Sequence, residues 1–124
     1  MNGTGIMLCD DLIFFSRVAA IASAAGFTVK QARTTAKGLE LARQSPPGGV
    51  IIDLNQDGLD LPGLLAGLHE IGAPLPRTIG FGSHVDVTTL RAARMSGCDH
   101  VMPRSQFVKE LETDLKDWLT PHTA

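Results

Sequence analysis

The chain has 124 residues, of which 44% are hydrophobic and 19% are charged, and its net charge is −2. This length predicts one domain, 1–124, with a core large enough to need no disulfide bonds, and the composition excludes a disordered chain. No block of basic residues is present, which argues against a nucleic-acid-binding protein. No apolar run approaches the roughly 18 residues that span a bilayer, and residues 1–5 lack the features of a signal peptide. We therefore expect a soluble cytoplasmic protein.

The first half of the chain contains two predicted strand–helix pairs. The apolar run 6–9 predicts a buried strand, and the helix after it ends at Gly26. Its apolar positions are Phe14, Val18, Ile21, Ala22 and Ala25. Partial alternation over 27–32 predicts an edge strand, and Thr34 is a predicted N-cap for the second helix. The apolar positions of that helix are Ala36, Leu39, Leu41 and Ala42. Cys9 and Cys98 have no metal-type spacing and adjoin apolar runs, so both are predicted to be buried thiols.

A turn-rich segment, 45–49, leads into the third strand, 50–53. Three β-branched residues follow one another here without alternation, which predicts a strand covered on both faces. This strand ends on Asp53. Pro62 then suits the first turn of a third helix, whose apolar positions are Leu61, Leu64, Leu65 and Leu68.

The last part of the chain repeats the same pattern twice. A fourth strand is predicted at 78–82 and a fifth at 100–103. Asp86 and Ser105 are the predicted N-caps of the two helices that follow them. The apolar positions of the fourth helix are Val87, Leu90, Ala93 and Met95, and Gly97 ends it. Those of the fifth helix are Phe107, Leu111, Leu115, Trp118 and Leu119.

Five alternating strand–helix pairs predict an α/β fold in which a parallel sheet has helices on both faces. With right-handed crossovers, this becomes a flavodoxin-like, doubly wound (βα)5 sheet in the order 2-1-3-4-5. Strands one and three are then neighbours, about 4.8 Å apart. Asp10 and Asp11 follow the first of these strands and Asp53 ends the other. The three carboxylates should therefore meet at one edge of the sheet, where ligands bind in such folds.

Carboxylates gathered this closely repel one another and have raised pKa values unless a cation lies among them. Mg²⁺ suits a partly hydrated site of few carboxylates and could bridge to a phosphoryl group. One carboxylate could then act as a nucleophile and form an acyl phosphate. The alternative is a set of solvated carboxylates in which Asp11 caps the first helix.

The acidic pair, Asp53 and the segment 96–104 resemble the receiver domain of two-component response regulators, over about residues 5–119. The resemblance implies that Asp53 accepts a phosphoryl group from a histidine kinase or phosphotransfer protein. It also implies a Mg²⁺ site in which Asp11 and Asp53 are direct ligands, Asp10 acts through water, and Asn55 offers its backbone carbonyl. Such a domain signals to a downstream target protein by contact, without a nucleic-acid or membrane partner, and is not an enzyme.

Several positions depart from the family pattern. The family lysine after strand five corresponds to Arg104, whose guanidinium is planar and bidentate; alternatively, Arg104 is a surface residue that begins the last helix. The switch hydroxyl after strand four falls on Gly82 or, with a shift of one residue, on Ser83, which could instead serve only in a turn. Val101 stands where the family has an aromatic switch residue. These departures support a second hypothesis, a pseudo-receiver that is never phosphorylated and acts as an interaction module.

Overall fold

The structure, a computed structural model, describes residues 3–72 and 74–121 as five strands that alternate with five helices. The elements are β1 (Thr4–Leu8), α1 (Leu12–Ala24), β2 (Thr28–Ala32), α2 (Thr35–Gln44), β3 (Gly49–Asp53), α3 (Leu61–Ile71), β4 (Arg77–Gly82), α4 (Val87–Met95), β5 (His100–Pro103) and α5 (Arg104–Trp118). Among the described helices, none combines the length and the apolar character that crossing a membrane requires.

All strand pairs are parallel, and the strand order is β2-β1-β3-β4-β5. The predicted α/β class, the doubly wound (βα)5 architecture and the strand order are therefore confirmed. β1 and β3 are neighbours, with Leu8 opposite Ile52, and Asp53 at the end of β3 is opposite Phe81 of β4. This register brings the loops that follow β1, β3 and β4 to the same edge of the sheet.

Apolar cores on both faces bury the central strand. Val50, Ile51 and Ile52 are each at most 1% exposed, as their β-branched run predicts. Ile51 belongs to a core cluster with Phe14 and residues of α5, whereas its two neighbours belong to a cluster on the opposite face with residues of α2, α3 and α4. Alternate residues of β3 therefore hold helix layers on opposite sides of the sheet.

Most of the predicted helix starts are confirmed. Thr34 accepts a hydrogen bond from the Lys37 N–H, and Asp86 accepts one from the Thr89 N–H. Ser105 is not an N-cap, because α5 begins one residue earlier. Its cap position is taken by Pro103, which is extended (φ −62°, ψ 151°) and makes no side-chain capping bond.

Four apolar positions that the helical spacing assigned to buried faces were predicted wrongly. Val87 and Met95 are 59% and 83% exposed, because the buried stripe of α4 is limited to Leu90 and Ala93. Ala36 is exposed, since α2 buries only Gly38 and Ala42. Ala25 is exposed as well and lies just beyond the last turn of α1, as its C-cap.

The end of α5 packs against bare backbone at the start of β3. A Cβ atom added at Gly49 would overlap the backbone carbonyl oxygen of Trp118 and lie 3.1 Å from the Cα of Leu119. Both side chains are buried, at 3% and 0% exposure. The absence of a side chain at Gly49 therefore allows the last turn of α5 to close the core.

We expect Gly49→Ala to lower the free energy of unfolding by about 1–3 kcal/mol, because only backbone could move to make room. The control is Gly67→Ala in α3, where the nearest atoms are the flexible Cδ atoms of Leu39. A gain of about 1 kcal/mol in helix propensity should offset that contact. Urea unfolding of both variants measures the difference, and a neutral Gly49→Ala would contradict the packing described here.

Candidate functional site

Asp53 occupies the last position of β3 and is half-buried. Its Oδ1 accepts a hydrogen bond from the Asn55 N–H at 3.1 Å, and its Oδ2 accepts a long one from the Cys9 thiol at 3.9 Å. Burial raises the pKa of Asp53 above its ordinary value, although the Asn55 N–H and the positive charge of Arg104 lower it, and the negative charge of Asp10 raises it further. The site therefore holds a carboxylate that is partly removed from water and fixed at both oxygens.

Asp10 and Asp11 lie at the same edge, in the segment between β1 and α1. Asp11 accepts a hydrogen bond from the Phe14 N–H through Oδ1 at 3.0 Å and so caps α1. Its other oxygen, Oδ2, lies 3.8 Å from a guanidinium nitrogen of Arg104. Asp11 thus caps α1 and also lies at the same edge of the sheet as Asp53. Direct coordination of a metal by Asp11 stays a prediction.

The buried thiol of Cys9 is affected by all three carboxylates at this edge, those of Asp10, Asp11 and Asp53. Its pKa is raised to about 11, first by burial and then by the negative charges of Asp53, Asp11 and Asp10. A neutral thiol is therefore the form beside Asp53 at neutral pH, and it can donate a weak hydrogen bond. Its burial was predicted from the apolar run, but its contact with Asp53 was not, because that contact depends on the pairing of β1 with β3.

Arg104 is the first residue of α5, and its guanidinium faces the acidic edge. The guanidinium carbon lies 4.0 Å from the centroid of the Phe14 ring, a cation–π contact. With Asp11 at 3.8 Å, these contacts hold a side chain that is still 47% exposed. Arg104 thus begins the last helix, as the surface interpretation expects. Its correspondence to the family lysine stays a prediction. Its contact with Phe14 had no sequence signal beyond the position of that ring on α1.

A cavity of about 320 Å³ opens beside Asp53. Its lining includes Asp53, Asn55, Ser83, His84, Arg104 and Ser105. Ser83 directly follows β4, and its Oγ accepts a hydrogen bond from the Val85 N–H at 3.4 Å, a turn contact. Its hydroxyl therefore has both a turn role and access to the cavity. Sequence reasoning did not find His84 or Ser105 as lining residues, because neither belongs to a motif.

The donor chemistry of this edge fits Mg²⁺ with few protein ligands. Within residues 3–72 and 74–121, no three His, Cys, Asp or Glu side chains are grouped so that they could hold a metal ion. Asp11 caps α1 and lies beside Arg104, and Asp53 accepts hydrogen bonds at both oxygens, so few carboxylate lone pairs are open to a metal. Mg²⁺ usually keeps several waters and is held by one or two carboxylates, whereas Ca²⁺ takes six to eight oxygens. The residues present therefore suit a largely hydrated Mg²⁺.

No protein-family model and no curated protein sequence matches this chain. Solved structures do match. A protein from Chloroflexus aurantiacus assigned as a response regulator is 19% identical, with a TM-score of 0.79 over 96% of this chain and 98% of that one. The receiver domain of NtrX from Brucella abortus is 19% identical, with a TM-score of 0.74 over 94% and 97%. In a longer NtrX structure, the match spans only 28% of that chain.

A response regulator from Burkholderia pseudomallei also matches, with 19% identity and a TM-score of 0.72 over 94% of this chain and 70% of that one. That crystal structure contains a phosphorylated aspartic acid, a calcium ion and citrate. At these identities the likeness establishes the fold. The expected resemblance to receiver domains is thus confirmed in the architecture, and the chain has the receiver fold.

We expect Asp53→Asn to stabilise the protein at pH 7, by roughly 1 kcal/mol or less for a half-exposed group. Because burial raises its folded pKa, ionisation of Asp53 costs stability as the pH rises, and that cost is complete above the folded pKa. The advantage of the variant should fade as the pH falls through the folded pKa of Asp53 toward the ordinary value. Urea unfolding at several pH values measures this.

The control is Asp57→Asn, which removes an exposed carboxylate from the same loop. It should change the free energy of unfolding little at any pH. A destabilised Asp53→Asn at pH 7 would contradict the assigned burial cost.

Proposed function

We propose that this chain is a receiver domain of two-component signalling in which Asp53 accepts a phosphoryl group. One observation supports this most strongly. The half-buried carboxylate of Asp53 lies at the edge where the neighbouring strands β1 and β3 end, and it shares a cavity with the positively charged guanidinium of Arg104. The receiver fold and the phosphorylated aspartic acid of the Burkholderia relative agree with it. The donor would be a histidine kinase or a phosphotransfer protein in the cytoplasm, and the domain itself would not be an enzyme.

The transfer is a substitution at phosphorus. An oxygen of the Asp53 carboxylate forms the new P–O bond while the P–N bond of a donor phosphohistidine breaks. The electron pair of that bond stays on the imidazole nitrogen. The donor ring leaves as a neutral imidazole when its other nitrogen carries a proton. The Asn55 N–H and the Cys9 thiol hold the two carboxylate oxygens in a fixed orientation. Such fixation lowers the entropy cost of reaching the reactive geometry.

Charge is the main obstacle to this reaction, because a phosphoryl group must approach several carboxylates. Arg104 lines the same cavity and could turn from Phe14 and Asp11 to pair with phosphoryl oxygens. When bound by Asp10, Asp11, Asp53 and the Asn55 carbonyl, Mg²⁺ would supply further charge compensation. Partners would be reached by protein contact, and the target would be another protein.

A pseudo-receiver that is never phosphorylated is the second candidate. The proximity of Arg104 to Asp11 favours it, because a resident guanidinium already supplies positive charge to the acidic cluster. Gly82 and Val101 also favour it, because Gly82 has no switch hydroxyl and Val101 has no aromatic ring, the two groups that the family uses for switching. In this alternative, the same surface would serve only as a binding module.

Incubation with Mg²⁺ and a small phosphodonor such as acetyl phosphate separates the two candidates. We expect intact-mass spectrometry to show one added phosphoryl group on the native chain. The adduct should be absent in Asp53→Asn and in samples treated with EDTA, and present in the control Asp57→Asn. An unmodified native chain under every donor tried would support the pseudo-receiver instead.

A further inference from the structure

The side chain of Asn55 connects the loop after β3 to the loop after β4. Its Oδ1 accepts a hydrogen bond from the Ser83 N–H at 2.6 Å, and its Nδ2 donates one to Asp86 Oδ2 at 2.9 Å. Both partners lie about 30 residues further along the chain. An exposed asparagine that satisfies its amide in this way crosses between two loops that the sheet only brings near each other.

Gly82 makes this crossing possible. A Cβ atom at this position would lie 3.0 Å from Asn55 Oδ1 and 3.4 Å from Leu90 Cδ2. The contact with Asn55 Oδ1 would be tighter than ordinary van der Waals packing, and the one with Leu90 would be at its lower limit. The carboxamide of Asn55 therefore fills the space into which a side chain at position 82 would project. Gly82, which has no hydroxyl, is thus covered by the carboxamide of Asn55 from the loop after β3.

Asn55 also contacts Asp53 through its backbone, since the Asn55 N–H donates to Asp53 Oδ1 at 3.1 Å. At the other end, Asp86 is the N-cap of α4 and accepts a hydrogen bond from the Thr89 N–H through Oδ1 at 3.2 Å. A continuous series of hydrogen bonds therefore runs from Asp53 through Asn55 to the first turn of α4.

We propose that Asn55 is a positioning residue that couples the charge of Asp53 to the loop 83–86 and the start of α4. Where Asp53 is phosphorylated, as the proposed function holds, its carboxylate becomes an acyl phosphate; the negative charge then lies on the phosphoryl oxygens, and the uncharged carboxyl group is a weaker acceptor for the Asn55 N–H. The weaker bond lets residue 55 shift and loosens its hold on Ser83 and Asp86. The segment so released presents two exposed apolar side chains, those of Val85 and Val87, at 75% and 59% exposure.

Amide hydrogen exchange of residues 83–89, followed by NMR, tests the coupling in the unphosphorylated protein. Asp53→Asn makes the carboxyl group uncharged, as acyl phosphate formation does, but without adding a phosphoryl group. It should speed exchange at Ser83 and Thr89 by roughly 5-fold or more, the lower end of typical coupling between sites. In an Asn55→Ala background, exchange at Ser83 should already be fast, and adding Asp53→Asn should change it less than 2-fold. Asp57→Ala, in the same loop, is the matched control and should have no effect on either amide.

Equal responses to Asp53→Asn with and without the Asn55 side chain would overturn the coupling, as would no response in the native background. This outcome does not depend on phosphorylation, whereas failure of the proposed function would show as the absence of a phosphoryl adduct. Where the adduct forms, Asp86→Asn supplies a second measurement. It retains an oxygen for the Thr89 N–H but places an amide opposite the Asn55 amide, so phosphorylation should no longer alter exchange at Thr89. An unchanged response in this variant also counts against the coupling.

Discussion

A carboxylate at the end of a fully buried strand is the constraint on which the rest of this structure depends. β3 is covered on both faces, so Asp53 reaches the edge of the sheet with part of its hydration removed. That cost is offset because the Asn55 N–H and the Cys9 thiol donate to its oxygens and because the positive charge of Arg104 lowers its pKa. The groups around this edge thus stabilise one partly buried negative charge, and a carboxylate in such a setting is a candidate for a functional site.

The sequence predicts the architecture well because the strongest signals are local. The uninterrupted β-branched run at 50–52 predicts a covered strand, and the caps Thr34 and Asp86 predict helix starts. Short strand–helix alternation leaves few topologies open. Errors arise where the local signal is ambiguous. Ser105 has the chemistry of a cap but follows Pro103, which takes that position. Val87 has the right spacing for a buried position but lies at the edge of a narrow apolar stripe.

The positions of the site residues were predictable, but most of their contacts were not. Strand adjacency alone places Asp10, Asp11 and Asp53 at one edge. The contacts of Cys9 with Asp53, of Arg104 with Phe14 and of Asn55 with Ser83 join residues 28 to 90 positions apart, and no spacing rule encodes them. Arg104 shows the consequence. The Phe14 ring and the Asp11 carboxylate hold its guanidinium in place, which its position at a helix start does not reveal.

The most direct test of this account is a crystal structure of the chain grown with Mg²⁺ and beryllofluoride, a mimic of the phosphoryl group. The account predicts beryllofluoride bonded to a carboxylate oxygen of Asp53, with the guanidinium of Arg104 turned from the Phe14 ring toward its fluorine atoms. A structure grown at saturating concentrations in which Asp53 carries no beryllofluoride and Arg104 stays against Phe14 would contradict it.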